Sequence, residues 1–196
     1  DTCRNTIEIM TEGKYFFVNP NRDEVFGQKC YHSVLDLPEK VDMAVICTPM
    51  KTVEPLIEDC AKMGAGGAVV FASGYGEAGT EEGRAAEASL KALCEKHGIS
   101  LMGPNCAGYI NYVDKVSSFA FISNKRDRSG SVGFVSQSGQ LVLSMMDRPG
   151  TGFSYVISSG NSKIVTMEEY LNFLIDDEDT KVISMYLEGV KNSDEF

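Results

Sequence analysis

The stretch "LMGPNCAGYIN" at 101–111 sets a glycine, a proline, an asparagine and a cysteine directly after an apolar run. Asn105 could meet a ligand or hold a turn, and Cys106 could be a reactive thiol or a small buried apolar residue. A second stretch, "GFVSQSGQLVLSMM" at 133–146, repeats the order of apolar strand, polar turn and apolar helix. Ser136, Ser138 and the N–H groups of Gly139 and Gln140 there make a helix N-terminus suited to phosphate or carboxylate; Ser138 is equally a plain N-cap. A hydrolase elbow is disfavoured. It needs GxSxG, whereas Ser136 and Gln140 flank Ser138, and its histidine must follow the serine, whereas His32 and His97 both precede it.

"SGYGEAG" at 73–79 contains a formal GxGxxG at Gly74, Gly76 and Gly79. As a dinucleotide fingerprint it is weak, because the next strand ends without a carboxylate for a ribose and this is not the first βα unit. Glycine torsions alone, or contact with phosphate or pantetheine, are the other readings. In "VNPNR" at 18–22, Arg22 could clamp a phosphate bidentately or be a solvated charge.

These motifs fall at the ends of apolar runs. "KYFFVNP", "VDMAVICTP", "GAVVFASG" and "ISLMGPN" read as parallel strands. Between them "TVEPLIEDCAKMG" and "EEGRAAEASLKALCEKHG" carry apolar residues at helical spacing and stop at Gly64 and Gly98. The polar connection "ISNKRDRSGS" at 122–131 separates a second series of strands, "SVGFVSQSG", "GFSYVISSGN" and "TKVISMYLEG", with helices over 138–147 and 166–176. The expectation is α/β with two parallel-sheet units, 1–122 and 130–196. In such sheets ligands bind beyond the carboxyl ends of the strands.

With 28 acidic against 18 basic residues and a net charge of −10, general nucleic-acid binding is disfavoured. Six cysteines without a CxxC pair, and no signal-peptide pattern, favour reduced thiols in the cytoplasm over disulfides or zinc. No apolar run nears the roughly 20 residues of a membrane span.

The order "FVNPNRDEVFG…VDMAVICTP…AVVFASGYGE…GISLMGPNCAGYIN…GSVGFVSQSGQL…GFSYVISSGN…DDEDTKVISMYLEGV" resembles the NDP-forming acyl-CoA synthetases and, more distantly, the succinyl-CoA synthetase α subunit. The resemblance implies a CoA-binding Rossmann-like domain followed by a flavodoxin-like domain. It implies synthesis of an acyl-CoA from a carboxylic acid, CoA and ATP or GTP with Mg, through an acyl phosphate and a phosphohistidine. By matching motifs, Asn19, Pro20 and Arg22 would lie near CoA phosphates, Thr48 and Pro49 near its nucleotide end, and Ser73, Gly74, Tyr75 and Glu77 along its length. Asn105 and Cys106 would approach the CoA thiol and the reacting acyl group, with Cys106 a neighbour and not a nucleophile. Ser136, Ser138 and Gly139 would receive the phosphoryl group, and Glu188 in "YLEG" would steady the phosphohistidine. The opening strand with its glycine loop, the histidine loop and the nucleotide-grasp domain of the family have no match here, since "DTCRNTIEIMTEG" reads as helix. The chain is therefore expected to be a part of a larger synthetase, inactive alone, with a nucleotide-grasp domain or subunit as partner and a homo- or hetero-oligomer as its context. A CoA-sensing module of a protein acetyltransferase is the alternative.

Overall fold

A computed structural model of the chain describes residues 13–121 and 128–190. The expected helix at the start of the chain and most of the 122–131 connection lie outside these residues. A small sheet comes first. β1 (Phe17–Val18) pairs in parallel with β3 (Gln28–Tyr31), and β2 (Glu24–Val25) returns antiparallel to β3. Thus "KYFFVNP" forms a strand as expected, but it belongs to this sheet and not to the one that follows.

β4 (Met43–Ile46), β5 (Gly67–Val70) and β6 (Ser100–Met102) form a parallel sheet in that order, joined by α1 (Val53–Lys62) and α2 (Glu81–His97). In α1 the buried residues Val53, Ile57 and Cys60 fall at helical spacing, so one face docks on the sheet. Thr80 caps α2 by accepting from Gly83 N at 3.0 Å, and Gly98 ends it at φ 66°. Ile46, Ile57, Val70, Leu90 and Leu101 fill the core between the sheet and these helices.

The second large sheet runs in the order β11, β9, β10, β7, β8. β9 (Ser129–Ser136), β10 (Phe153–Ser158) and β11 (Val182–Tyr186) are parallel, with α3 (Gly139–Met146) after β9 and α4 (Met167–Asp176) after β10. Both helices match expectation to within a residue or two. Thr166 and Glu169 cap α4 reciprocally, each side chain bonding the other's backbone N–H.

The three strands from 129 onward are parallel as expected, but two strands from before 122 join their sheet antiparallel. β7 (Gly108–Asn111) runs antiparallel to β10, and β8 (Val116–Phe119) antiparallel to β7. The β7–β8 pairing has a local cause: Asn111 Oδ1 accepts from the N–H groups of Val113 and Asp114, each at 2.9 Å, so the chain reverses too tightly for the crossover that a parallel pairing requires. Gly108, at φ 85°, is needed for the pairing, since a Cβ there would lie 1.7 Å from Ser118 O. The hairpin precedes the 122–131 connection, so the change of sheet falls between β6 and β7 and not at 122.

Candidate functional site

Five turns at strand carboxyl ends enclose a cleft of about 290 Å3 lined by Glu77, Asn105, Gln137, Gly160, Asn161, Glu188 and Gly189. They follow β5, β6, β9, β10 and β11 in turn. The cleft therefore lies at the carboxyl ends of strands from both large sheets, as the strand-end rule requires.

The loop after β5 is closed by its own carboxylate. Glu77 Oε1 accepts from Gly74 N at 2.6 Å and Tyr75 N at 3.3 Å, and Oε2 accepts from Asn161 Nδ2 at 2.6 Å. Burial raises the Glu77 pKa, but the bonds from Asn161 and the backbone outweigh it and hold the group below its ordinary value. A Cβ on Gly76 would lie 2.4 Å from Glu87 Oε2, so a side chain there would have to push that carboxylate aside.

The turn after β6 stacks on the turn after β10. Asn105, at φ 56°, donates its N–H to Ala72 O at 2.9 Å, and Asn161 N donates to Pro104 O at 3.0 Å. Gly160 occupies the contact, with its absent Cβ site 2.5 Å from Pro104 O and 2.6 Å from Asn105 O. Across the cleft, Gln137 Oε1 accepts from the N–H groups of Glu188 at 2.6 Å and Gly189 at 3.1 Å, while its Nε2 donates to Gly189 O at 3.3 Å. One amide thus fixes the turn that presents Glu188.

Of the residues singled out in the sequence, Glu77, Asn105 and Glu188 line this cleft together. Ser136 borders it but is 0% exposed, and its hydroxyl is engaged with Ser138 O at 2.8 Å and Ser138 N at 3.0 Å. Ser138 caps α3 by accepting from Leu141 N at 3.4 Å, which bears out the N-cap reading; the N–H groups of Gly139 and Gln140 belong to the first turn, which has no intrahelical acceptors. Tyr75 departs from expectation. Its ring is 1% exposed in the core of the first large sheet, so the side chain is not laid along a ligand path.

Other candidates lie apart from the cleft lining. Asn19, Pro20 and Arg22 form the turn after β1, where Asn19 Oδ1 accepts from Asn21 N at 2.9 Å. Arg22 is exposed, with no ion pair among the described residues. Thr48 and Pro49 lead into α1, with the Thr52 hydroxyl 2.8 Å from both Thr48 Oγ1 and Pro49 O. Ser73 is exposed at the mouth of the Glu77 loop.

Cys106 Sγ points at Val70 O, 3.4 Å away, and burial pushes its pKa up to about 12 against weaker opposing hydrogen bonds. A thiol so held is almost wholly protonated near neutral pH and is a poor nucleophile. Cys47 is exposed. Limited alkylation with iodoacetamide at pH 7.5 is expected to label Cys47 well before Cys106; mass spectrometry showing Cys106 labelled first would contradict the assigned environment.

Among the described residues the cleft lining holds two carboxylates and no lysine or arginine. An anion entering it must be met by N–H groups or by a cation brought from elsewhere. Among the described residues no group of three or more His, Cys, Asp or Glu could hold a metal, and no helix is long and apolar enough to cross a membrane. Gln137, Gly160, Asn161 and Gly189 were not anticipated as site residues. Their signal was the carboxyl end of a strand, in "VSQSG", "SSGN" and "YLEG".

Residues 4–112 match the family described as a CoA binding domain, and residues 129–196 match the succinyl-CoA ligase like flavodoxin domain. The chain is a member of the NDP-forming acyl-CoA synthetase family, carrying those two domains in that order. It is 40% identical over 190 residues to an ADP-forming acetate–CoA ligase II of Archaeoglobus fulgidus, covering 94% of this chain and 28% of that protein. With the α subunit of an ADP-forming acetate–CoA ligase II of Pyrococcus furiosus it shares 35% over 188 residues, 94% of this chain and 40% of that one. A solved acetyl-coenzyme A synthetase 1 from Ca. Korarchaeum cryptofilum, in complex with phosphate and ADP, superposes with a TM-score of 0.89 at 35% identity, over 98% of this chain and 41% of that chain. The chain thus spans well under half of the length of each.

Proposed function

We propose that this chain supplies the CoA-binding and acyl-phosphate side of a synthetase that joins a small carboxylic acid to CoA with release of a nucleoside diphosphate. The observation that carries this reading is the cleft, where the Glu77 loop, the Asn105 turn and the Glu188 turn meet beside Gln137, the residue just ahead of the α3 N-cap. Bound CoA would supply the thiol that accepts the acyl group. The loop at 73–77 suits a long, thin ligand: Gly74 at φ 105° and Gly76 offer backbone without side chains, and Thr48, Pro49 and Ser73 would flank the same path. The first turn of α3 offers oriented N–H groups and about half a unit of positive charge to an acyl phosphate, and Asn105 can donate to the acyl oxygen.

The acidic lining complements this arrangement. Glu188, fixed through its backbone by Gln137, is available to orient and charge an imidazole brought by another part of the enzyme. ADP-forming relatives favour ATP as the donor, with Mg held on a nucleotide-grasp domain or subunit, and the α-subunit relatives favour a partner chain. Such an enzyme would work in the cytoplasm.

Arg22, exposed beside Asn19 and Pro20 and without an ion pair among the described residues, is assigned to a CoA phosphate. In the full-length parent protein, Arg22→Ala is expected to weaken CoA binding about tenfold, the usual scale of a charge-assisted bidentate contact. Calorimetric titration with CoA and dephospho-CoA tests it. Equal affinities of wild type and variant for both ligands would remove the phosphate role, and an absence of CoA binding by the wild type would overturn the function.

A further inference from the structure

Asn161 stands between two carboxylates of the other sheet's unit. Its Nδ2 lies 2.6 Å from Glu77 Oε2 and 2.8 Å from Glu87 Oε1, so the two amide hydrogens serve one carboxylate each. Two carboxylate acceptors on one side fix which way the amide faces. Its Oδ1 is then turned to Asn105 Nδ2, at 3.4 Å. Glu87 sits in α2 at 7% exposure, where loss of a donor would leave a buried carboxyl oxygen without its partner.

The backbone of the same turn is held just as firmly. Asn161 N donates to Pro104 O, while Ser159 N at 2.9 Å and Ser159 Oγ at 3.3 Å both reach Ser136 O. The turn is therefore bonded to the Glu77 loop, the Asn105 turn and the strand end that leads into α3. These segments lie 84, 56 and 23 positions away in sequence.

We propose that Asn161 is a positioning residue: one amide sets the loop assigned to CoA and the turn assigned to the acyl group in register with the α3 N-terminus. The identity of the ligands rests on the function proposed above; the clamp rests on the geometry. Hydrogen-bond polarity is the property that matters. Asn161→Asp keeps the size but sets acceptor against acceptor, adding a carboxylate beside Glu77 and Glu87. The triple variant Glu77→Gln, Glu87→Gln, Asn161→Asp exchanges every donor for an acceptor at nearly constant volume. A glutamine at 77 still leaves an oxygen for Gly74 N and Tyr75 N.

Two readouts on the full-length parent test this. In Asn161→Asp, CoA affinity is expected to fall about tenfold and deuterium uptake of the peptide spanning 73–77 to quicken about tenfold; in the triple variant the exchange, which reads the clamp and not the ligand, should return to within about threefold of wild type. Packing alone would not be rescued by reversing polarity. Unchanged exchange in Asn161→Asp, or no recovery in the triple variant, would overturn the clamp. Should Asn161→Asp not fold, recovery of folding and exchange in the triple variant supports the clamp, and a triple variant that stays unfolded overturns it. A wild-type protein that does not bind CoA removes the function alone, since exchange still reads the clamp.

Discussion

Gly160→Ala is expected to lower acyl-CoA formation by the complete enzyme about a hundredfold, the scale of effect when reacting groups shift by about 1 Å. The added methyl would lie 2.5 Å from Pro104 O and 2.6 Å from Asn105 O, and φ 64° is itself unfavourable for alanine. Neither neighbour is a flexible side-chain end. The turns after β6 and β10 must separate, which breaks the Asn161 N to Pro104 O bond and carries Asn105 away from the cleft. The combined strain is about 3 kcal/mol, so the thermal midpoint should also fall by several degrees. Gly150→Ala is the control. It has a positive φ of 87° with nothing within 4 Å of the added carbon, so it should cost only about 1 kcal/mol and leave activity near wild type. Steady-state assay of ADP release with both variants checks the pair. Equal activities would show that strain, and not the collision at Pro104, sets the effect.

Glu188→Gln is expected to slow phosphoryl transfer in the complete enzyme about a hundredfold while leaving CoA affinity within twofold of wild type. The substitution preserves shape and hydrogen-bonding capacity but removes the charge that would stabilise a cationic imidazole, a difference of about 3 kcal/mol for a charge-assisted bond. The backbone gives no reason for the turn to move. Gln137 holds it through the N–H groups of Glu188 and Gly189 and through Gly189 O, none of which involves the Glu188 carboxylate. Rapid-quench measurement of labelled phosphoenzyme, with CoA titration alongside, separates the two quantities. Wild-type formation and decay of the phosphoenzyme would leave Glu188 a solvated loop residue.

The sequence was most legible where a property is local. The stops of α1 and α2 followed from Gly64 and Gly98, and the helices after β9 and β10 from apolar spacing beside Ser138 and Thr166. The strand-end turns were likewise legible, and Asn105 stood out in one of them; Glu77 and Glu188, which line the same cleft, were singled out through the family resemblance. What escaped depends on distant partners. Ser117 and Ser118 are polar yet buried in β8, so "KVSSFA" lacks the alternation of a half-buried strand, and Gly108 shows its role only once Ser118 O is beside it. Gln137 and Asn161 are amides whose bonds span 51 and 84 positions, distances at which no periodicity speaks. Tyr75 lay in a loop that looked ligand-facing, but the space under α2 took its ring.

The hairpin of β7 and β8 bears on how such a protein could be divided by gene rearrangement. It is encoded ahead of the 122–131 connection, yet Ile110 and Phe119 pack with Phe134, Val142 and Phe153 from beyond it. A break at 122 would strand that hairpin on the wrong piece, baring Phe119 on one product and the flank of β10 on the other. Between the two large sheets, only a junction in the short stretch between Met102 and Gly108 keeps each whole, and that stretch holds Asn105. The natural cutting point of the gene and the floor of the cleft are the same few codons, so an exchange of either half with a relative must choose which parent's turn to inherit.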